Sequence, residues 1–247
     1  MKMQDIQDIH SGSIGFIIGS GPSLHTQDVR PLENYVTIAV NSGILKMPDS
    51  DYFVSDDQGI RSWNYYRQTL KSSKCKKLMF EDKLSDSVEF FGEDEVALFK
   101  HKTWYDPKSK KKYPGGVDLT RDASLPIVGA RTSMGSAIHC AYIMGCDPIV
   151  LLGCDCCFSG RKRYFWEFPG ERKAIRVDGR PNNWSPKRGK DGKVQDRHCL
   201  DFIDYWEDFS NANKDVNIIY ASEGGALDVF PKMTLLEVLE KYSDRLK

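Results

Sequence analysis

Short apolar runs that stop abruptly at small or polar residues recur along the chain. The clearest are 16–18, 36–40 and 148–152, and the second is rich in β-branched residues. Continuous apolar runs of this length predict strands that are buried on both faces. A further strand is predicted at 77–80. We predict five strands whose carboxyl ends are small or polar, at 19–23, 41–42, 55–57, 153–155 and 222–225.

Helical patterns lie between these runs. In 58–70, 198–212 and 234–244, apolar residues recur every three or four positions and so share one side of a helix. Another helix is predicted over 132–145, with a hydroxyl residue at its start to cap it and a glycine at its end. Strands joined by helices run parallel, so the predicted fold class is α/β with a mostly parallel sheet.

Two stretches do not fit this alternation. Residues 81–125 are charged and irregular, with a basic run at 108–112, and we interpret them as an excursion from the sheet. Residues 158–197 are loop-rich, aromatic and basic, and a connection of this length is typical of a lid or a binding loop. We therefore predict a single domain over 1–247, with irregular insertions near 81–125 and 158–197.

The turn after the first strand is the centre of the predicted site. Gly19 and Gly21 have no Cβ, so the backbone there can approach a ligand closely. The hydroxyl of Ser23 would stand where backbone N–H groups converge on an anion. In open α/β sheets, ligands bind beyond the carboxyl ends of the strands. One such end is an ordinary turn, but five together predict a crevice for a nucleotide.

Common nucleotide-binding motifs are missing from this turn. Leu24 stands where the last glycine of a G-x-G-x-x-G dinucleotide motif would be, and the sequence contains no G-x-x-x-x-G-K-[ST] phosphate loop. A standard dinucleotide fold and an ordinary P-loop ATPase are therefore both disfavoured.

Charge and cysteine content narrow the class of protein. The 35 basic and 35 acidic residues cancel, so net charge gives no general reason to expect a nucleic-acid or membrane-surface partner. The first residues lack the apolar core of a signal peptide, and no apolar run approaches the ~20 residues of a membrane span, so we expect a cytoplasmic protein. Its seven cysteines would then be thiols, and the C-x-C-C spacing at 154–157 differs from that of paired zinc ligands.

Several blocks of sequence resemble two related families. The early blocks are IIGSGPSL at 17–24, AVNS at 39–42 and VSDD at 54–57. The later blocks are TSMGS at 132–136, MGCDPI at 144–149, LGCD at 152–155 and SEGGA at 222–226. They resemble the motility-accessory-factor and 6-hydroxymethylpterin diphosphokinase-like family and the related bacterial lipooligosaccharide sialyltransferases. The resemblance implies a Rossmann-like transferase, with helices on both faces of its sheet, that binds a nucleotide, usually as a nucleotide-activated sugar.

The resemblance also implies which residues bind the nucleotide. In the sialyltransferases, the glycine turn, an asparagine after the second strand and a Thr-Ser helix start hold a cytidine nucleotide. The matching positions here are Gly19, Ser20, Gly21, Ser23, Asn41, Thr132 and Ser133. Asp56 is a further predicted nucleotide-binding residue, although the sialyltransferase pattern has an asparagine there. An aspartate would repel a diphosphate unless a divalent ion lay between them, which favours the pterin-kinase branch.

Sugar transfer needs a base for the acceptor hydroxyl and a group that stabilises the leaving phosphate. His198 is the candidate base, because it follows the long loop, opens a helix and titrates near neutral pH. The alternative is a histidine with a role at the helix start or on the surface. Asp155 is the second candidate catalytic residue, with a simple cap as the alternative. Asp56 and Asp155 are the candidate ligands if a metal is present, and the side chain of Asp57 is expected to point to the opposite face from that of Asp56.

The second insertion supplies candidate contacts for an acceptor or a phosphate. Arg161, Arg163 and Tyr164 belong to a run that mixes cations with aromatic rings, and Trp184 follows in the same insertion. Such a mixture can neutralise a diphosphate or stack on a base or a sugar. The alternative is an exposed loop with a few packed aromatic residues.

These observations predict a glycosyltransferase that moves a sugar from a nucleotide-activated donor, with a CMP-sugar favoured, to an acceptor that the sequence does not identify. One alternative is a diphosphotransferase of the pterin-kinase type that uses ATP and, as its cofactor, magnesium. The others are sugar modification of a nucleic-acid base and a non-catalytic nucleotide-binding module. Nucleic acid is not favoured as a partner, and the sequence leaves the oligomeric state open.

Overall fold

A seven-stranded parallel sheet organises the protein. The computed structural model describes residues 1–102, 105–106, 111–112, 116–129, 132–180, 187–188, 194–195 and 197–247. The sheet strands are β1 Gly15–Ile18, β2 Val36–Val40, β3 Tyr52–Ser55, β4 Lys76–Phe80, β5 Val96–Phe99, β8 Ile149–Leu152 and β11 Ile218–Tyr220. Two short antiparallel ribbons pair β6 Tyr105–Asp106 with β7 Lys111–Lys112, and β9 Lys187–Arg188 with β10 Val194–Gln195.

Helices connect the strands. The α-helices are α1 Asn64–Arg67, α2 Thr69–Ser72, α3 Glu81–Leu84, α4 Ser87–Phe91, α5 Ser133–Ile143, α6 Arg197–Ala212 and α7 Leu235–Lys241. Single 3₁₀ turns cover Met3–Ile6, Pro22–His25, Arg30–Asn34, Asn41–Leu45, Gln58–Ser62 and Phe165–Glu167. Among the residues that the structure describes, no helix is both long enough and apolar enough to cross a bilayer.

The strand order is β11-β8-β1-β2-β3-β4-β5, and every pairing in this sheet is parallel. From β1 the chain builds the sheet outward through β2 to β5, and it then returns to the other side of β1 with β8 and β11. The direction of growth therefore reverses between β1 and β8. Such a reversal opens a crevice at the carboxyl ends of the two strands.

Helices cover both faces of the sheet. Successive side chains of each strand point to opposite faces, so each strand contributes to the core on both sides. One face carries Ile17 and Ile38 and packs against α5 and α6. The other carries Phe16 and Ile18 and packs against α1, α2 and α7. The α/β fold with a parallel sheet between two layers of helices, predicted from the apolar runs and the family resemblance, is confirmed.

Helix α5 shows how local sequence starts and stops an element. The hydroxyl of Thr132 accepts a hydrogen bond from the Met134 N–H at 3.3 Å and caps the helix. Gly145 takes a φ of +88° just beyond its end, a backbone conformation that glycine adopts without a steric penalty. The small side chain of Ala141 faces β1, since a Cβ on Gly15 would lie 4.0 Å from its Cβ, whereas Gly135 faces Tyr205 of α6. This helix too was predicted correctly.

Two predictions about the fold were wrong. The stretch 81–125 was interpreted as lying outside the sheet, but β5 lies within it and forms the sheet edge. Its run of four apolar residues follows three acidic ones, which hides it in a charged context. The predicted helix over 58–70 is divided into a 3₁₀ turn, α1 and α2. Trp63 interrupts it, because its extended backbone forms a bridge with Arg176.

Candidate functional site

A cleft of about 180 Å³ lies where the strand order reverses, at the carboxyl ends of β1, β2 and β8. The start of α5 and the loop after β8 complete its walls. It is lined by Gly19, Ser20, Gly21, Pro22, Val40, Asn41, Thr132, Ser133, Met134, Gly153, Cys154, Asp155, Cys156, Cys157, Arg163 and Tyr164. Nine of these residues were named as candidate site residues from the sequence: Gly19, Ser20, Gly21, Asn41, Thr132, Ser133, Asp155, Arg163 and Tyr164.

A larger cavity of about 550 Å³ lies at the other end of the sheet, beside β5. Its lining includes Met1, Leu98 and Phe99 and no residue from the ends of β1, β2 or β8. We assign the candidate site to the smaller cleft, because its position at the reversal of strand order is where α/β sheets bind ligands.

The glycine turn after β1 packs directly on the turn after β8. The Gly21 N–H donates to the Gly153 carbonyl at 2.8 Å. A Cβ on Gly19 would lie 2.4 Å from the same carbonyl oxygen, and one on Gly21 would lie 2.6 Å from the Asp155 carboxylate. Both glycines are therefore needed for the two turns to approach each other, before any ligand is considered.

Asp155 stabilises this contact between the two turns through hydrogen bonds to Ser23. One of its oxygens accepts the Ser23 N–H at 2.6 Å, and the other accepts the Ser23 hydroxyl at 2.5 Å. Its side chain is buried, and burial raises the pKa of the carboxyl group above its ordinary value. Asp155 was predicted to be catalytic or to bind a metal, with a cap as the alternative. The contact present in the structure is that of a cap on the glycine turn.

Asn41 links β2 to the start of α5. Its backbone takes a φ of +50°, in the left-handed region that asparagine tolerates better than most residues. Its side-chain carbonyl accepts the Ser55 hydroxyl at 2.7 Å, and its amide donates to the Ser133 Oγ at 3.4 Å. The asparagine thus holds together two walls of the cleft while also lining it.

Ser20 lies on the opposite wall. Its hydroxyl donates to the Val40 carbonyl at 3.3 Å and accepts the Ser42 hydroxyl at 2.8 Å. The Trp166 indole N–H in turn donates to the Ser42 Oγ at 3.0 Å. A short chain of hydrogen bonds therefore ties the glycine turn, the end of β2 and the loop after β8 to one another.

Asp56 lies behind the cleft wall rather than in it. Its carboxylate accepts the hydroxyls of Ser133 and Ser136, the latter at 3.0 Å, and lies 3.5 Å from the His101 Nε2. Burial raises the pKa of Asp56, and it lowers the pKa of His101 to about 4. The imidazole is therefore neutral near pH 7, and this contact is not an ion pair. Asp57 points away and caps a turn through the Gly59 N–H at 2.8 Å.

The structure therefore corrects two positions. Asp56 was predicted to bind the nucleotide, but its carboxylate faces α5 and is absent from the cleft lining. The end of β11, at 222–225, was expected to join the same crevice. It instead lines a neighbouring cavity of about 250 Å³ and contacts the cleft wall through the Ser222 Oγ, which accepts the Cys154 N–H at 3.0 Å.

The loop after β8 brings a cation to the mouth of the cleft. Arg163 and Tyr164 both line it, with the guanidinium 4.9 Å from the centre of the Tyr164 ring. Tyr164 stacks on Trp166 at 5.0 Å between ring centroids. Arg161, predicted with them, is exposed and not in the lining. Trp184 lies outside the described residues. 

His198 belongs to the first turn of α6, as predicted from the sequence. Its side chain lies outside the part of the chain that the structure describes, so its role as a base stays a prediction. His139 in α5 is buried, and both of its ring nitrogens have hydrogen-bond partners. Its Nδ1 accepts the Val128 N–H at 2.7 Å, and its Nε2 lies 2.9 Å from the Thr120 carbonyl oxygen.

The sequence analysis did not name several residues that line the cleft. Among them, Met134 follows the cap of α5, and Cys154, Cys156 and Cys157 follow β8. The position of the cysteines at a strand end was a usable signal, but they were interpreted as thiols, with a zinc site disfavoured by their spacing. Within the described ranges, no three histidine, cysteine or acidic side chains are grouped so that they could hold a metal ion.

The fold and the cleft define this chain as a Rossmann-like α/β protein with a polar crevice at the reversal of its strand order. No protein-family model matches the chain, and no curated protein matches it. Among solved structures, it is similar to the MAf glycosyltransferase from Magnetospirillum magneticum AMB-1, with a TM-score of 0.50 and 14% sequence identity. The similarity covers all of this chain but only 38% of that protein, and it shows a shared fold.

Proposed function

We propose that the protein is a glycosyltransferase that takes a sugar from a nucleotide-activated donor, with a CMP-sugar favoured. The observation that carries this proposal is the cleft between β1 and β8, into which the glycine turn, Asn41 and the start of α5 converge. These are the segments that resemble the cytidine site of the sialyltransferases. The shared fold with a glycosyltransferase supports the same class of activity.

The chemistry of the walls suits a phosphorylated donor. The first turn of α5 directs the positive end of the helix dipole toward Thr132 and Ser133, which favours an anion there. The guanidinium of Arg163 at the mouth adds a full positive charge. These two groups would neutralise the leaving phosphate as the bond to the sugar breaks, and His198 would accept the proton of the acceptor hydroxyl.

The proposal is tested first by binding. We expect CMP to raise the melting temperature without a metal ion, because a ligand of the folded state stabilises it by mass action. Replacing Arg163 with glutamine should weaken CMP binding by about tenfold, the effect of losing one charge-assisted contact. Arg161→Gln is the matched control: it removes the same charge two residues away, outside the cleft, and should leave the affinity unchanged. Isothermal titration calorimetry measures both variants.

Other nucleotides discriminate between the alternatives. Stabilisation by UDP or GDP instead of CMP would keep glycosyl transfer and discard the cytidine analogy. Stabilisation by ATP only in the presence of magnesium would favour the diphosphotransferase. If CMP, UDP, GDP and ATP all fail to bind, or if Arg161→Gln and Arg163→Gln weaken binding equally, the cleft is not the donor site that we propose.

Turnover is tested by the release of CMP from a CMP-sugar, measured by chromatography. We expect His198→Ala to lower this rate by at least about a hundredfold, as removal of a general base does, while CMP still binds. His25→Ala is the control, because His25 stacks on Phe168 and does not line the cleft. Undiminished turnover in His198→Ala would remove this residue from the mechanism.

A further inference from the structure

Three thiols stand together on one wall of the cleft. Cys154, Cys156 and Cys157 follow β8 directly and all belong to the cleft lining. None of them is in a disulfide. Cys154 is buried, whereas Cys156 and Cys157 are both partly exposed. The three other free cysteines of the described residues are buried in the core and line no part of this cleft; they are Cys75, Cys140 and Cys146.

The backbone brings the thiols of Cys154 and Cys156 together. Cys156 takes a φ of +51°, a left-handed conformation that is uncommon for any residue other than glycine, asparagine or aspartate. The two thiols interact, and the interaction raises the pKa of the Cys154 thiol and lowers that of the Cys156 thiol. The turn is held in place, because the Cys154 N–H donates to the Ser222 Oγ at 3.0 Å and the Asp155 carbonyl accepts the Ala226 N–H.

Two side chains lower the pKa of the Cys156 thiol. The larger effect comes from the Cys154 thiol and the smaller from the buried Trp206 of α6, whose indole N–H is a donor. Donors of this kind stabilise a thiolate, and they lower the pKa of Cys156 despite its burial. Cys157 provides the contrast. Its thiol contacts the Gly224 carbonyl at 3.7 Å, which accepts a hydrogen bond and offers none, and burial raises its pKa.

We propose that Cys154 and Cys156 form an oxidisable dithiol on the cleft wall, with Cys156 as the attacking thiol and hydrogen peroxide as the oxidant. Three geometric observations carry this proposal: Cys154 and Cys156 are two residues apart, the left-handed backbone at Cys156 turns the chain between them, and both residues line the cleft. Because these features do not depend on what binds in the cleft, the proposal is independent of the proposed function.

The reaction balances with two electrons. The Cys156 thiolate attacks one oxygen of the peroxide, the O–O bond breaks, and the departing hydroxide takes up a proton to become water. Cys156 is then a sulfenic acid. The Cys154 sulfur displaces its hydroxyl, which leaves as a second water with the proton of the Cys154 thiol. The two thiols are oxidised to one disulfide, and the peroxide is reduced to two waters. Reduction by a second dithiol restores the pair.

The position of Asp155 gives the oxidation a structural consequence. This residue lies between the two cysteines and holds the glycine turn through Ser23. A disulfide between its two neighbours would constrain the backbone at Asp155 and so change the wall of the cleft. 

The test uses the intact protein and two reagents. Under limiting iodoacetamide, peptide mass spectrometry should show Cys156 alkylated at least about tenfold faster than Cys157, although both are partly exposed. After treatment with hydrogen peroxide, peptide mapping without reduction should show a Cys154–Cys156 disulfide. In Cys154→Ser, dimedone should trap the sulfenic acid on Cys156. The matched control Cys157→Ser should still form the disulfide.

Trp206→Phe tests whether the indole N–H of Trp206 affects the reactivity of Cys156. This variant keeps the aromatic packing and removes the N–H donor, so it should slow the alkylation of Cys156 and leave that of Cys157 unchanged. The proposal is overturned if Cys157 is alkylated as fast as Cys156 in the unsubstituted protein. It is also overturned if peroxide joins Cys156 to Cys157 or leaves the pair reduced in the folded chain. Because the alkylation ratio needs no variant, a substitution that fails to fold does not decide the outcome.

Discussion

Asp155 and Asp56 are carboxylates at strand ends that hold the cleft wall through different partners. At the Asp155 corner, formed by Gly21, Ser23 and Asp155, the carboxylate binds a backbone N–H and a hydroxyl of one residue. At the Asp56 corner, formed by Asp56, His101, Ser133 and Ser136, the side chain binds two hydroxyls of α5. Each carboxylate fastens a segment of the cleft wall to the sheet.

The hydrogen-bond donors at the two corners differ in whether they can rotate. The Ser23 N–H is fixed by the backbone, so it has no other acceptor to turn toward if Asp155 is lost. The hydroxyls of Ser133 and Ser136 can rotate, and each has a second polar group nearby: Asn41 for Ser133 and His101 for Ser136. Losing a carboxylate that accepts from a fixed donor therefore costs more stability than losing one that accepts from rotatable donors, because an unpaired buried N–H is costly.

The largest loss of stability is expected when a methyl group is added at Gly21, in the Asp155 corner. In Gly21→Ala the new Cβ would lie 2.6 Å from the Asp155 carboxylate and 2.7 Å from the Gly153 carbonyl. Relieving both contacts must separate the two turns, so we expect a loss of at least about 2 kcal/mol of stability. This is a fall in melting temperature of about 4–8 °C for a chain of this size.

Gly59→Ala is the control for this variant. Its Cβ would meet only the end of the Asp57 side chain, at 3.0 Å, and that side chain can move. Calorimetry should show little change for Gly59→Ala. If the two variants melt at the same temperature, the close packing of the turns does not limit stability.

The next effect compares the two carboxylates directly. Asp155→Asn keeps the volume of the side chain but leaves either the N–H or the hydroxyl of Ser23 facing an amide, and we expect a loss of about 1–3 kcal/mol. Asp56→Asn should cost less, because its serine partners can rotate to accept the new amide hydrogens. Urea unfolding measures both. A larger loss for Asp56→Asn would reverse the distinction between fixed and rotatable donors.

The smallest expected effect is a pH dependence of the difference in stability between the unsubstituted protein and Asp155→Asn. Burial raises the pKa of Asp155 above 3.8, so between 3.8 and the raised value the folded state holds a proton that the unfolded state has released. Its contribution to stability is fully present below that window and is lost as pH rises through the raised pKa. Asp155→Asn has no such proton. The stability advantage of the unsubstituted protein should therefore be largest near about pH 4 and shrink toward neutral pH.

His101 and His139 do not disturb this comparison. Burial lowers the pKa of each to about 4, so both destabilise the folded state as pH falls below 6.5. That slope is common to both proteins and cancels in their difference. Urea unfolding at a series of pH values gives the difference. An advantage that grows as pH rises would mean that Asp155 is stabilised in its charged form.

Much of the fold could be predicted from sequence because its central strands are buried on both faces. β1, β2 and β8 are continuous apolar runs that end in small or polar residues, so their existence and limits are local properties. Helix α5 begins at its capping threonine and ends before its glycine for equally local reasons. Edge strand β5 was missed because its short apolar run is preceded by three acidic residues and so lies in a charged context.

The candidate site was predicted only in part, for a physical reason. The sequence identified strand ends rich in glycine, serine and aspartate, and those of β1, β2 and β8 do meet at the cleft. It did not indicate which oxygens and hydroxyls would bind one another. Asp155 and Asp56 were both predicted as ligands, whereas in the structure both make hydrogen bonds to serines.

The sequence by itself determined the central strands, the capped helix and the glycines that two close turns require, since each follows from local patterning and backbone sterics. Only the tertiary structure decided that the sheet reverses between β1 and β8, that Asp56 turns behind the wall, and that Cys156 faces Trp206. These outcomes depend on contacts between residues far apart in the chain, and such contacts leave no periodic trace in the order of the amino acids.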